Sequence, residues 1–414
     1  MYGLNLNRET RALALAHGFS KCGEFAFETA FAVAVVTLAD ADLLLIGVSY
    51  FFRYIPSVVF SPLGGWLADN GEKKCTLLAA DLAKSIVGLV FFAVYSAYGV
   101  STYYLPLVIG LAMIITALDC LHAPTFRAFF PEFVEKESLA SINSGLQVIE
   151  DAASIIGPLI FSLFVLFLSR EATFLFFTGC LSFSAFCIAG FKASEPCARQ
   201  NFHGGAMIRD AVCNVRKLKT FNAPLFAVIS CTTVCAMFAT AVLRFVLPAS
   251  VLEQFDSEAA VGYVFALLAA GTVLGGVLYI RFNKCTTSQL VLRYWVLYGA
   301  LFFTAAVALQ FNSWLFLLIL FVVGFIGAFV DIAIVTNVQC LSNDHEVGRN
   351  FSLYYFSAVM GDAVSGLVAS LVFVIAGPAT LIWMTLMLFI TPMPWALAGR
   401  AREAIEKSSA KRPS

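Results

Sequence analysis

Residues 313–338 read SWLFLLILFVVGFIGAFVDIAIVTNV, a run of 26 positions with one ionisable side chain, Asp331, and no proline. As a helix it extends about 39 Å at 1.5 Å per residue. The hydrocarbon core of a bilayer is about 30 Å thick and is crossed by roughly 20 apolar residues, so this run is long enough to span it. Eleven further stretches of the same kind lie near 14–39, 43–68, 76–98, 103–123, 140–168, 172–192, 223–250, 259–281, 289–311, 351–376 and 379–399. A membrane barrel would instead show alternating segments of about ten residues, and these runs do not alternate. The chain is therefore read as an all-α polytopic membrane protein with twelve transmembrane helices.

Composition agrees. Of 414 residues 60% are hydrophobic and 13% charged, with a mean hydropathy of +0.87. Soluble domains average about 45–50% apolar and about 25% charged, and a water-facing fold cannot absorb the difference. The 26 basic and 26 acidic residues cancel, which argues against a nucleic-acid partner held by charge. The 11 cysteines form no C-x-x-C pair, and Cys231 and Cys235, the closest, lie inside an apolar run. They read as small buried apolar residues rather than metal ligands or disulfides. The first segment carries Lys21, Glu24 and Glu28 and reads as a retained span rather than a cleaved signal.

Placement of Lys and Arg orients the chain. With the amino terminus inside, 21 of the 26 fall on the inner side, Arg170 alone falls outside, and Lys21, Arg53, Lys84 and Arg244 fall within spans. The outer loops are acidic or neutral, with Asp40, Asp42, Glu253, Asp256 and Glu258. Both termini are expected in the cytoplasm, in an inner (cytoplasmic) membrane.

The two halves repeat. Leu63-Gly64-Gly65 recurs as Leu274-Gly275-Gly276, Lys74-Cys75 as Lys284-Cys285, Asp119 as Asp331, and Asp151-Ala152-x-Ser154 as Asp362-Ala363-x-Ser365, at offsets of 211, 210, 212 and 211. A six-plus-six duplication predicts two six-helix bundles related by pseudo-twofold symmetry, 1–192 and 223–400. It places a substrate path between them near the bilayer midplane. Residues 193–222 form a cytoplasmic linker. In it Ile208, Val212, Val215 and Leu218 share a helical face beside Arg209, Arg216, Lys217 and Lys219, the pattern of an interfacial helix, although a solvated linker fits equally. Residues 401–414 form a polar cytoplasmic tail.

Residues 64–74 read GGWLADNGEKK. Paired glycines allow close helix packing, Asp69 can approach a helix amino terminus, and Lys73 and Lys74 hold the loop inside. This stretch resembles the cytoplasmic loop signature of the major facilitator superfamily, with Asn70 where a basic residue is usual. The resemblance implies that Gly65, Asp69, Lys73 and Lys74 form a conformational lock. Phe19-Ser20-x-x-Gly23-Glu24, Ala123-Pro124, Phe130-Pro131-Glu132, Leu139, Asn143 and Gly157-Pro158 are similar to the exporter branch that includes macrolide efflux proteins and the enterobactin exporter. The drug–proton antiporter signature expects further glycines where Ala153, Phe161 and Ser162 stand. The same stretches also resemble the lysophospholipid transporters.

Charges inside the bilayer cost at least ~2.5–3.5 kcal/mol each and point to function. Lys21, Glu24 and Glu28 share a face of the first helix, and Arg53 on the second is their nearest cation by helix order. Two carboxylates sharing one cation cannot both ionise comfortably, so Glu24, then Glu28, with Arg53, are the expected proton-coupling sites. The expected substrate cavity takes Lys21, the stripe Asn143, Gln147 and Glu150, then Asp151, its counterpart Asp362, and Arg244, for which snorkelling is the plainer reading. Asp119, Asp331, Arg127 and Arg349 are candidate cytoplasmic gate residues. Asp81 and Lys84 read as a pair at the inner membrane interface, and His17 and His122 as packed histidines.

The chain contains no G-x-x-x-x-G-K-[ST] loop, so an ion gradient rather than bound nucleotide is the expected energy source. The reading is a secondary active, proton-coupled exporter of an amphiphilic small molecule such as a siderophore, macrolide or other drug. Its partners are that substrate, protons and membrane lipids, with no cofactor and no metal, as a monomer. Lysophospholipid transport is the alternative. A membrane transferase would need clustered acids or a His–Asp pair at the membrane face; Asp344-His345-Glu346 is the nearest approach and reads as a solvated turn.

Overall fold

The computed structural model describes residues 8–39, 43–98, 102–129, 131, 138–190, 204–255, 258–283, 286–311, 313–343 and 346–398. Asp40, Asp42, Asp256, Phe130, Glu132, Asp344, His345 and the tail 401–414 lie outside them. The first half supplies α1 (Arg8–Leu38), α2 (Leu43–Tyr54), α3 (Ser57–Asn70), α4 (Lys73–Tyr98), α5 (Leu105–Phe129), α6 (Leu139–Phe167) and α7 (Ala172–Ala189). The linker forms α8 (Gly204–Phe221). The second half supplies α9 (Ala223–Ala241), α10 (Leu247–Phe255), α11 (Glu258–Phe282), α12 (Ser288–Leu309), α13 (Ser313–Leu341), α14 (Val347–Ala376) and α15 (Thr380–Ile390). No strand occurs among the described residues.

Nine helical stretches among the described residues are long and apolar enough to cross a membrane, and one of them, 347–398, runs through two of the twelve expected segments. The two segments that fall short are α1 and α2–α3. These carry Lys21, Glu24, Glu28 and Arg53, and the second is interrupted between Tyr54 and Ser57 at Pro56, which has no N–H to donate. A π-helical turn at Val242–Val246 separates α9 from α10. Pro248, which has no N–H to donate, follows it. Asn222 and Thr287 start α9 and α12 by accepting the N–H groups of Leu225 and Leu290, each at 3.3 Å.

The chain forms two compact units. One comprises Met1–Asn214 and Ser342–Val359, the other Val215–Leu341 and Met360–Ser414. The first turns of α14 thus belong to the first unit and the rest of that helix to the second. In the first unit α1 packs on α6 and α7, α4 on α5 and α7, and α3 on α5. In the second, α13 packs on α11 and α12, and α15 on α12 and α9.

Glycine fixes the closest approaches. A Cβ on Gly64 would overlap the Cys120 carbonyl oxygen of α5, and one on Gly275 would overlap the Phe325 carbonyl oxygen of α13. The glycine that recurs between the halves therefore presses backbone against backbone inside each unit. The core of the first unit is aromatic. Phe27 lies 5.1 Å from Phe91 and 4.8 Å from Phe177, ring centre to ring centre, and Phe31 is fully buried. These phenylalanines hold helices together.

Candidate functional site

The buried charges of the first unit fall into three clusters, each tying different helices. The largest centres on Lys84 of α4, whose side chain is 0% exposed. Its Nζ donates to Glu24 Oε1 of α1 at 2.7 Å and to Asp119 Oδ1 of α5 at 3.0 Å. Asp81, one turn before Lys84, holds its Oδ1 3.7 Å from the same nitrogen. Lys21 donates to the other oxygen of Glu24 at 2.7 Å. Ser184 of α7 donates to Asp81 Oδ2 at 2.6 Å, and His122 Nε2 of α5 lies 3.3 Å from Asp81 Oδ1. Three helices, α1, α4 and α5, thus meet on one ammonium group, and α7 joins them through Asp81.

The second cluster is Glu150 of α6, which accepts from Arg127 Nη2 of α5 at 2.8 Å and lies 2.7 Å from His17 Nε2 of α1. Phe126 stacks on His17 at 4.5 Å and runs parallel to His122 at 6.1 Å. The third cluster is Arg53 with Glu28. The guanidinium meets both carboxylate oxygens, one at 2.8 Å, and lies 4.5 Å over the Phe31 ring. A two-pronged ion pair backed by an aromatic face is rigid.

These clusters correct the sequence reading in named places. Glu24 and Glu28 do not share Arg53: Glu28 takes the guanidinium, while two lysines bind Glu24. Asp119 of the expected gate set pairs with Lys84, and Arg127 with Glu150. Lys84 and Asp81 pair, at 3.7 Å, and form the middle of the largest cluster. Local spacing could have flagged it: Asp81 and Lys84 on α4, and Asp119 and His122 on α5, are both i,i+3 polar pairs inside apolar helices.

Gln147 donates to Asp151 at 3.0 Å, so part of the expected α6 stripe is satisfied along its own helix, while Asn143 is buried. In the second unit Asp362 of α14 accepts from Thr240 of α9 at 2.7 Å and from Arg244 in the π-helical turn at 3.3 Å. Arg244 is thus paired rather than simply reaching for the surface. Asp331 occupies an exposed position on α13.

Asp69 of α3 meets the start of α14. Asp69 Oδ1 accepts the Gly348 N–H at 2.7 Å, and Oδ2 accepts the Arg349 N–H at 3.0 Å and Arg349 Nε at 2.9 Å. One carboxylate thus caps the first turn of α14 and pairs with its first cation. Gly65 lets the helices close, since a Cβ there would lie 2.7 Å from Ser352 Cβ. Lys74 reaches the Ala189 carbonyl at 2.9 Å. Asn214 of α8 donates to Asn350 at 3.0 Å, which in turn donates to Ser342 at 2.8 Å.

Solved structures share this fold at low identity. A bacterial homologue of the iron transporter ferroportin in an outward-facing state superposes with a TM-score of 0.70 at 16% identity, covering 94% of this chain and 98% of that one. The human organic anion transporter MFSD10 gives 0.75 at 14%, covering 95% and 100%. The Escherichia coli fucose:proton symporter gives 0.68 at 14%, covering 94% and 97%. No curated protein matches the chain. A family model described as transmembrane secretion effector matches residues 7–406, and the chain belongs to that family, a branch of the major facilitator superfamily of secondary transporters.

Proposed function

We propose that the protein is a proton-coupled exporter of an amphiphilic small molecule, working by alternating access as a monomer in the cytoplasmic membrane with both termini inside. The observation that carries this reading is the Lys84 cluster. It gathers two cations and three carboxylates among membrane helices, with Lys84 and Asp81 fully buried, which is too costly for mere packing when an apolar core would serve. A site built from acids and lysines responds to protons, and the α1 acid Glu24 joins α1 to α4 there. The latch at Asp69 supplies the conformational half: it holds the first turns of α14 in the first unit, and its release lets the cytoplasmic side open. The family description supports secretion as the direction, and the aromatic, mixed-charge interior supports an amphiphile such as a siderophore or macrolide over a sugar. The runner-up cargo is a lysophospholipid.

Reconstituted protein in liposomes with an imposed pH gradient tests the reading, with radiolabelled erythromycin, enterobactin and a fluorescent lysophosphatidylethanolamine as probes. Gradient-driven movement of erythromycin or enterobactin is expected, lost in Glu24→Gln while the variant still folds and inserts. Normal gradient-driven movement in Glu24→Gln excludes Glu24 from coupling. Movement of the lysolipid alone selects the alternative.

A further inference from the structure

Lys84 treats its three carboxylates unequally. It hydrogen-bonds Glu24 and Asp119 at 2.7 and 3.0 Å, while Asp81 Oδ1 stands off at 3.7 Å. Lys21 adds a second hydrogen bond to Glu24. Two cations are therefore satisfied by two carboxylates, and Asp81, with a 0% exposed side chain, is the acid left over. Its Oδ1 and the Nε2 of His122 are both buried without a hydrogen-bond partner, yet they face one another at 3.3 Å. One proton between them would satisfy both atoms and balance the cluster. The groups around Asp81 are Lys84 on its own helix, His122 and Asp119 on α5, Ser184 on α7, and Glu24 with Lys21 on α1. Among them Lys21 is 30% and Asp119 24% exposed.

We propose that the proton carried by this transporter is held on Asp81, between its Oδ1 and His122 Nε2, and not on Glu24 or Glu28. This deepens the proton-coupled reading and rests on it. In the loaded state Asp81 is a neutral acid donating to the neutral imidazole, and Lys84 belongs to Glu24 and Asp119. When the O–H bond breaks and the proton leaves to water, the Asp81 carboxylate claims Lys84, which is already within 4 Å. Lys84 then loosens from Glu24 or Asp119, so that proton release is felt as a change in the pull between α4 and α1 or α5. Glu24 acts through Lys84 as a positioning residue.

Infrared difference spectra of the full-length protein in liposomes, recorded across a pH titration, read the protonated carboxyl directly. The wild type is expected to show one protonated-carboxyl band, absent in Asp81→Asn and kept in Glu28→Gln. In Glu24→Gln the band is kept but its midpoint moves to lower pH, because Lys84 is freed for Asp81. Should Asp81→Asn fail to fold, Ser184→Ala serves. It removes one hydrogen bond from the Asp81 carboxylate and raises the midpoint by about one pH unit. A band that vanishes in Glu24→Gln, or one that Ser184→Ala does not move, overturns the assignment. Transport under an imposed pH gradient is scored separately. If the Asp81 band titrates as described while erythromycin and enterobactin move independently of the gradient, the coupling reading fails and the proton site stands. If transport follows the gradient and the Asp81 band does not titrate, the site fails and the coupling stands.

Discussion

Asp69→Asn isolates the latch. In the native chain the carboxylate accepts three hydrogen bonds, one at Oδ1 and two at Oδ2. An asparagine turned to keep the Gly348 bond places its NH2 group where Oδ2 stood, facing two donors of Arg349. Two bonds to a charged acceptor disappear, each worth about 1.5–3 kcal/mol. Arg349 is partly exposed, its side chain at 28%, and regains water in return, so the latched state loses about 3 kcal/mol, or roughly two orders of magnitude in its equilibrium with the released state. The donors themselves report the change. Hydrogen exchange at the Gly348 and Arg349 amides follows the population in which the latch is open, and in lipid nanodiscs it should accelerate about 100-fold in the variant. Amides in α12, remote from the latch in sequence and assigned to the other unit, should keep their rates. Turnover of a transported probe should fall more than its binding weakens, because the variant dwells in the released state. Unchanged exchange at the two amides would refute the latch. Uniform acceleration in α12 as well would show general loosening instead.

Gly64→Ala should lower the melting temperature of the detergent-solubilised protein, with overpacking against the Cys120 carbonyl worth about 1–3 kcal/mol; an unchanged melt would mean that α3 and α5 can part at that point without loss. Arg53→Gln should destabilise the protein by leaving Glu28 without its guanidinium, by less than the roughly 3–5 kcal/mol of a fully buried pair because Glu28 is 42% exposed, and Arg53→Gln/Glu28→Gln should recover part of that loss. A double variant as unstable as the single one would show that the pair contributes no charge complementarity.

What the sequence disclosed and what it hid divide along a physical line. Spans announce themselves through length and hydropathy, which are properties of one segment at a time, and each of the twelve runs holds a helix. The contact of Asp69 with a helix amino terminus was legible for a related reason: a carboxylate next to paired glycines and lysines is a local pattern, and a helix amino terminus is a general acceptor of anions. Partners across helices were not legible. Glu24 and Glu28 lie one turn apart on α1, and from that spacing alone a shared cation was the natural expectation. Yet one turn of α1 is enough to turn Glu24 toward α4 and Glu28 toward α2, where different cations wait. His122 looked like an ordinary packed imidazole because nothing in its own helix names Asp81.

The chemistry of the three clusters also says which of them can work as a moving part. Arg53 and Glu28 meet through two parallel bonds in a fixed fork, with the guanidinium lying on Phe31; shifting that pair by an ångström sacrifices both bonds at once. Glu150 is held by Arg127 and His17 from two other helices, again with a guanidinium that never gives up its proton. The Lys84 cluster alone has its cations as ammonium groups. Lysine is a compact charge on a flexible stem with three rotatable donors, so it can trade one carboxylate for another within the 2.7–3.7 Å spread already present around Lys84. A buried network that must exchange partners during a cycle needs that freedom, and one that only orients helices does better with arginine. The placement of lysine at the junction of α1, α4 and α5, and of arginine at the two flanking clusters, is what a moving centre between fixed supports requires.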